Sequence, residues 1–172
     1  MFLHEIEIGQ RVFIDANIFV YHFSKDSRFN KSCRDFLLRI ENSEVHGVTS
    51  AAVIMEATHR IMMSEASSII NIEVKNLPKH LKQHHDIVKQ LTKHLIVPGK
   101  IASLGIETIP ITSSLIEGSQ VFKTRYGFLS NDALTLKVME EHKIVAIASN
   151  DLDFERVEWL KLYCAFANDD VL

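Results

Sequence analysis

Two short apolar runs, each ending on a carboxylate, restrict the fold of this chain more than any other feature. Arg11 to Asp15 reads RVFID, and Ile144 to Ser149 reads IVAIAS before Asn150 and Asp151. Short β-branched runs without polar alternation are what a strand shows when a sheet buries both of its faces. Such a sheet is mainly parallel and needs helices to cover it, and the intervening sequence supplies them. Asn30 is placed to cap a helix through about Ile40, on which Cys33, Phe36, Leu37 and Ile40 recur at helical spacing. Val45 to Val48 reads as a strand, with Thr49 and Ser50 as hydroxyl caps for the breaker-free helix AAVIMEATHRIMM that carries Glu56. Ile106 to Ile111 reads as a further strand, Ser113 to Arg125 as a helix closed by Gly127, and Ser130 as the cap of a helix from Asn131 to His142. From about 64 to 105 the sequence is helix-rich. Pro78 there suits the opening turn of a helix, and Pro98-Gly99 suits an end.

One folded unit over residues 1–172 is the expectation for a chain that is 47% hydrophobic and 24% charged. A chain of this length buries roughly 70% of the surface its unfolded form exposes, so its core needs neither disulfides nor a metal, and a metal that binds is expected to serve function. Cys33 and Cys164 stand far apart without C-x-x-C spacing and are expected to pack as small hydrophobes. The opening MFLHEIEIGQR is interrupted by His4, Glu5 and Glu7, which excludes the uncharged core of a secretory signal. No apolar run reaches the roughly 18 residues that mark a membrane span, so a soluble intracellular protein is expected. A net charge of -3 is too mild to declare a nucleic-acid or membrane partner by itself.

In an open parallel sheet, ligands gather beyond the carboxyl ends of the strands. Asp15 and Asp151 each follow such a strand, Asp132 falls in the first turn of a late helix, and Glu56 lies about two turns into the helix after the second strand. Each acid alone has a structural explanation, as a turn or cap residue or as a partner for a helix dipole. Together on one rim they would repel one another unless a cation sat among them, and an all-oxygen set suits magnesium or manganese with a phosphate-bearing substrate. The chain lacks G-x-G-x-x-G, G-x-x-x-x-G-K-[ST] and G-x-S-x-G, which removes the dinucleotide, nucleoside-triphosphatase and nucleophile-elbow chemistries. A phosphoaspartyl phosphatase needs an acid two residues after its nucleophile, and Asn17 stands there instead.

RVFIDANIFVYHF, the helix bearing Glu56, LSNDALTLKVMEEHKI and IVAIASNDLDFERV together resemble the PIN-domain nucleases, most closely the VapC-like ribonucleases of prokaryotic toxin-antitoxin systems. The likeness runs in outline from Arg11 to Ala165. It rests on Asp-x-Asn after the first strand, the N-D-A-L opening of the late helix, and Ser-x-Asp-x-x-Phe from Ser149 to Phe154. It implies an α/β, PIN-like three-layer sandwich with a central, mainly parallel sheet, and a Mg2+- or Mn2+-dependent endoribonuclease leaving 5'-phosphate and 3'-hydroxyl ends. It implies that Asp15, Glu56 and Asp132 bind the principal ion, that Asp151 completes the acidic cluster or helps hold a second ion, and that Asn17 and Ser149 match the polar helpers. Asp153 ranks below Asp151 because its place before Phe154 reads as a cap on a last helix, and Glu65 lies not far downstream of Glu56 as another acid. RNA as substrate, a small antitoxin covering the site, a homodimer and a cytoplasmic location follow from the same resemblance. A catalytically silent PIN-fold subunit that binds RNA or supports assembly is the alternative.

The chain departs from the pattern in a helical extension at about 61–105. On one continuous helical wheel from Pro78 to Ile96, Leu81, Val88, Leu91 and Leu95 oppose Lys79, Lys82, Lys89 and Lys93. From Lys75 to Lys100 there are six Lys and one acid, Asp86, so this stretch carries +5 and the remainder -8. Such an arm is suited to RNA phosphates, and a solvated helix face explains it equally. His80, His84, His85 and His94 are further candidates for RNA contact. His80 and His84 form a weak i, i+4 metal signal, and His84 projects toward the apolar stripe as a packed histidine.

Overall fold

In the computed structural model, residues 1–25, 27–70, 72 and 74–167 are described. Five strands form one parallel sheet: β1 Arg11–Ile14, β2 His46–Ser50, β3 Glu107–Ile109, β4 Ala146–Ala148 and β5 Lys161–Tyr163, in the order β3-β2-β1-β4-β5. Phe13 is opposite Val48 on one side and Ile147 on the other, so the two apolar runs lie near the middle of the sheet. That placement accounts for their composition: Val12, Phe13, Ile14, Ala146, Ile147 and Ala148 are fully buried. β5 is absent from the sequence-based expectation, which placed a last helix after Phe154. The segment Leu152–Arg156 makes only a short 3-10 turn before the chain enters β5.

The strand order positions the site. The chain steps from β1 to β2 to β3 in one direction and then crosses back to β4 and β5. The connections leaving β1 and β4 therefore diverge, and a crevice opens between the carboxyl ends of these two neighbours. Right-handed crossovers place the helices of the outward steps on one face and those of the return on the other. The packing follows this division. Helix α1 (Ala16–Phe23) packs on α2 (Asn30–Glu41) and α3 (Ala51–Ile69). After the short helices α4 (Leu77–Gln83), α5 (His85–Gln90) and α6 (Val97–Ser103), the helices α7 (Ser113–Gly118) and α8 (Gln120–Tyr126) pack on α9 (Ser130–Glu141). At Gly47 in β2 the Ile40 side chain of α2 packs directly against the strand: a Cβ there would meet Ile40 Cδ1 at 2.9 Å and Ile14 Cδ1 at 3.0 Å. No helix among the described residues is long and apolar enough to cross a membrane.

Several local expectations are corrected. Ser50 caps α3 as expected, accepting from Val53 N, while Thr49 is turned inward and donates to Ile14 O. Asn30 and Ser130 are not caps. Each is the first residue of its helix, after Phe29 and Leu129. The Asn30 amide is drawn instead to the carbonyls of Tyr21, His22 and Ser24, which tie α2 to the end of α1, and the Ser130 hydroxyl accepts from Lys123 Nζ. The helix expected from Ser113 breaks at buried Ser119, and Gly127 closes α8 in the left-handed region at φ 73°.

The extension is also corrected. Residues up to Ile69 complete α3, and the continuous helix from Pro78 to Ile96 is instead α4, α5 and a 3-10 turn at Lys93–Ile96, with breaks at His84 and Leu91. Pro98 opens α6 rather than ending a helix. Ala66, Leu77, Leu81 and Leu91 form a second small core against which Met62, Met63, Ile70, Ile87 and Val88 pack. Leu95, expected on that apolar side, is 66% exposed. His84 is exposed rather than packed. It stacks on His80 with ring centroids 3.9 Å apart. Buried Glu65 fastens the extension to α3 by accepting from Thr92 N at 3.1 Å and Lys93 N at 2.9 Å.

Candidate metal centre

Asp15 follows β1 and caps α1, its Oδ1 accepting from Ala16 N at 2.7 Å. Its Oδ2 accepts from Asn17 Nδ2 at 2.6 Å and from Ser149 Oγ at 2.7 Å. The register explains this convergence: Ile14 pairs with Ala148, so the residues that follow each strand meet at its end. Asn17 Nδ2 also donates to Ser149 Oγ at 2.8 Å, Asn150 N donates to Asn17 Oδ1, and Asp151 N donates to Ser149 Oγ. Asn17 is 7% exposed and Ser149 is fully buried. These two polar residues bind the end of β1 to the end of β4 and fix the direction of the Asp15 carboxylate.

Asp151 lies in this network through its backbone, and its Oδ1 caps the 3-10 turn by accepting from Asp153 N at 2.9 Å. Asp153 was expected to be the cap; the structure gives that place to Asp151, and Asp153 pairs with Arg156 at 3.0 Å. Glu56, on α3, is reached from the opposite face of the sheet: Asn131 Nδ2 donates to its Oε2 at 2.9 Å, while Arg60 Nη1 lies 3.6 Å from its Oε1. Asn131 and Arg60 were not singled out in the sequence. Asn131 sits inside the N-D-A-L motif, but the acid it bonds is remote in the chain, and no local spacing points to it.

Asp132, in the first turn of α9, differs from the other acids. No hydrogen-bond donor or ion-pair partner meets its carboxylate among the described residues. Burial, and then the negative charges of Asp15, Asp151, Glu56 and Asp153, push its pKa up to about 6. Asp15 is likewise raised, chiefly by burial and also by Glu56, against the lowering action of the Ser149 and Ala16 donors and of Arg60. The charges of Asp15, Asp151, Glu56 and Asp153 thus all act on Asp132, and that of Glu56 acts on Asp15 as well. Among the described residues, no three acidic, histidine or cysteine side chains stand close enough to enclose a metal ion directly. The chemistry of the donor set is nonetheless uniform: carboxylates, an amide and a hydroxyl, with neither thiolate nor imidazole, which suits a hard divalent cation.

Glu65, the other acid considered near Glu56, is taken up by the backbone of Thr92 and Lys93 instead. Lys79, Lys82, Lys89 and Lys93 are all exposed but lie on three separate segments, so the single stripe of the continuous wheel does not form. A cavity of about 580 Å³ between Ile109, Leu115, Gly118 and Lys137 includes none of the rim acids.

A PIN-domain family model matches residues 12–160 of this chain. Ribonuclease VapC2 of Methanocaldococcus jannaschii is 26% identical over 154 residues, covering 88% of this chain and 92% of the relative. Two solved structures share the fold at low identity. The VapC20 toxin of Mycobacterium tuberculosis, which cleaves the sarcin-ricin loop, aligns with a TM-score of 0.57 at 14% identity, over 86% of this chain and 95% of its own. VapBC2 of Rickettsia felis, bound to a DNA fragment from its promoter, aligns with a TM-score of 0.51 at 15% identity, over 90% and 98% of the two chains.

Proposed function

The chain belongs to the PIN-domain family, and from that premise we propose that it is a Mg2+- or Mn2+-dependent endoribonuclease and the toxin of a toxin-antitoxin pair. Ribonucleases of this family depend on divalent metal. The observation that carries the reading is Asp132, a carboxylate without a donor among the described residues, raised to about 6 by burial and by the acids around it. Such a group favours either a proton or a cation, and at neutral pH a divalent ion relieves the repulsion of the whole rim. Asp15, Glu56, Asp132 and Asp151 are the residues that would hold it. Because they do not close into a direct cage, the fit is to an ion that keeps part of its water shell, as magnesium commonly does. A divalent ion there supplies charge neutralisation at the phosphate and lowers the pKa of the attacking water.

The chain's own residues do the remaining work. Asn17 and Ser149 keep Asp15 oriented by donating to the same oxygen, so its carboxylate does not turn away when the charge of the site changes. Asn131 holds Oε2 of Glu56, while Arg60 lies 3.6 Å from Oε1. The N-termini of α1 and α9 add partial positive charge on the side where phosphate would approach. Asp15, Glu56, Asp132 and Asp151 are each half-buried rather than enclosed. The exposed lysines 79, 82, 89 and 93 attract the phosphates of the same strand. Replacing all four with Gln should weaken RNA binding and make it less sensitive to salt, the slope falling by about 0.7 for each phosphate no longer neutralised.

The sequence relationship to a ribonuclease VapC2 over most of both chains supports the ribonuclease reading. The shared fold with VapBC2 is consistent with a small antitoxin as partner, and a homodimer acting on RNA in the cytoplasm completes the proposal. Asp132→Asn is the cleanest test, because it removes the charge without breaking a hydrogen bond among the described residues. Purified Asp132→Asn protein should lose Mn2+-dependent cleavage of single-stranded RNA while retaining its circular dichroism. Wild-type cleavage by this variant, or by the unaltered protein in excess EDTA, would remove the metal-dependent mechanism.

A further inference from the structure

Three arginines have their guanidinium groups tied down by hydrogen bonds to described residues. Arg39 donates to the carbonyls of Leu3, His4 and Ile6, at 3.2, 3.4 and 2.6 Å. Arg11 donates to His142 O and Glu107, and Arg156 donates to two carbonyls and covers the ring of Phe128. Arg60 is not held in this way: it donates no hydrogen bond to any described residue, and its ion pair, to Glu56 at 3.6 Å, is too long to be a hydrogen bond. Arg34 is similarly loose, but its partner is its exposed neighbour Asp35, at 3.7 Å, whereas that of Arg60 is one of the rim acids. Its side chain is 44% exposed. Its charge acts on Asp15, opposing that of Glu56, so the guanidinium is close enough to influence the carboxylate rim.

Glu56 does not depend on Arg60 for its position, because Asn131 holds it from α9 at 2.9 Å. The guanidinium can therefore leave its present partner without disturbing that acid. We propose that Arg60 is a substrate-binding residue that takes a nonbridging phosphate oxygen of RNA at the carboxylate rim, and that in the free protein Glu56 holds it in reserve. This rests on the ribonuclease reading of the rim and adds to it the group that binds substrate. The planar fork of arginine, with five donors, matches a phosphate in a way a lysine ammonium does not. Arg60 also competes with any cation for Glu56. One side chain is thus expected to favour RNA and oppose metal.

The two effects have opposite signs, and both are measurable. Mn2+ binding to protein without RNA is followed by titration calorimetry, and cleavage of a short single-stranded RNA is measured at saturating Mn2+. Arg60→Gln should bind Mn2+ about threefold tighter, because a nearby positive charge is gone. Its KM for RNA should rise about tenfold, with a smaller change in kcat, because a phosphate ligand is removed. Arg60→Lys should restore Mn2+ affinity to the wild-type value but recover only part of the KM. A KM unchanged in Arg60→Gln, or a weaker rather than tighter affinity for Mn2+, would overturn the assignment. Asp132→Asn, assayed alongside, separates the two levels: an active Asp132→Asn protein removes the ribonuclease reading, whereas an inactive one beside an unaltered Arg60→Gln removes only the role of Arg60.

Discussion

Glu56 and Glu65 stand nine residues apart on α3, which puts them on opposite sides of the helix at about 100° per residue. Their surroundings differ accordingly. Glu65 is 7% exposed, and its two oxygens accept from two backbone N–H groups, Thr92 and Lys93, that are fixed by the fold. Glu56 is half-buried, and its partners are the side chains of Asn131 and Arg60, which can move. A carboxylate satisfied by the main chain is committed to structure. One held by mobile side chains beside other acids is available to an ion. The same contrast separates the two ends of the helix: the N-terminal half borders a rim with excess negative charge, and the C-terminal half carries an extension held by a small apolar core and one buried acid.

Replacing each acid in turn should break this comparison most visibly. Glu56→Ala is expected to lower RNA cleavage by about three orders of magnitude with little change in the urea midpoint, since an ion ligand is removed from a crowded anionic site. Glu65→Ala should leave cleavage of a short RNA close to the wild-type rate. Leu91→Ala removes a fully enclosed side chain from the second core and should cost about 2–5 kcal/mol, seen as loss of hydrogen-exchange protection across α4 and α5 before the sheet is affected. Glu65→Ala leaves two backbone donors without their acceptor and should cost about 1–3 kcal/mol, with exchange at Thr92 and Lys93 rising first.

The smallest effect concerns pH. Asp132 has a folded-state pKa of about 6, above the ordinary value of 3.8. Between these values the folded state binds more protons than the unfolded one, so stability is greatest below the lower value and falls as pH rises toward the upper. In EDTA, unfolding temperatures should therefore decline across this window, and Asp132→Asn should remove much of the decline. Because the group is partly open to solvent, the gain of Asp132→Asn at neutral pH is expected to be about 1 kcal/mol, or 2–4 °C.

The central strands were legible because burial on both faces leaves a run of apolar residues that needs no partner to be recognised. Asp15 and Asp151 followed from where those runs stop. β5 was missed because Lys161–Tyr163 is three residues long and carries no such run; it pairs with β4 through its backbone. Asn30 and Ser130 have good capping side chains, but tertiary partners, the end of α1 and Lys123, took them. Apolar periodicity located Leu81 and Leu91 in a core but gave no sign that the helix breaks at His84. Arg60 and Asn131 could not be singled out, since the partners that define them come from different elements or depend on which face of α3 meets the rim. Asn150, which fastens β4 to the chain after β5 through Ala165, escaped for the same reason.

The account turns on acids crowded at one rim that need a cation. The most direct measurement is urea unfolding of the wild type and of Asp132→Asn at pH 7.5, in EDTA and over a series of Mn2+ concentrations. The account predicts that the wild type is less stable than Asp132→Asn in EDTA, gains stability steadily with Mn2+, and overtakes a variant that gains little. Equal stability of the two proteins in EDTA, together with equal gains from Mn2+, would contradict it.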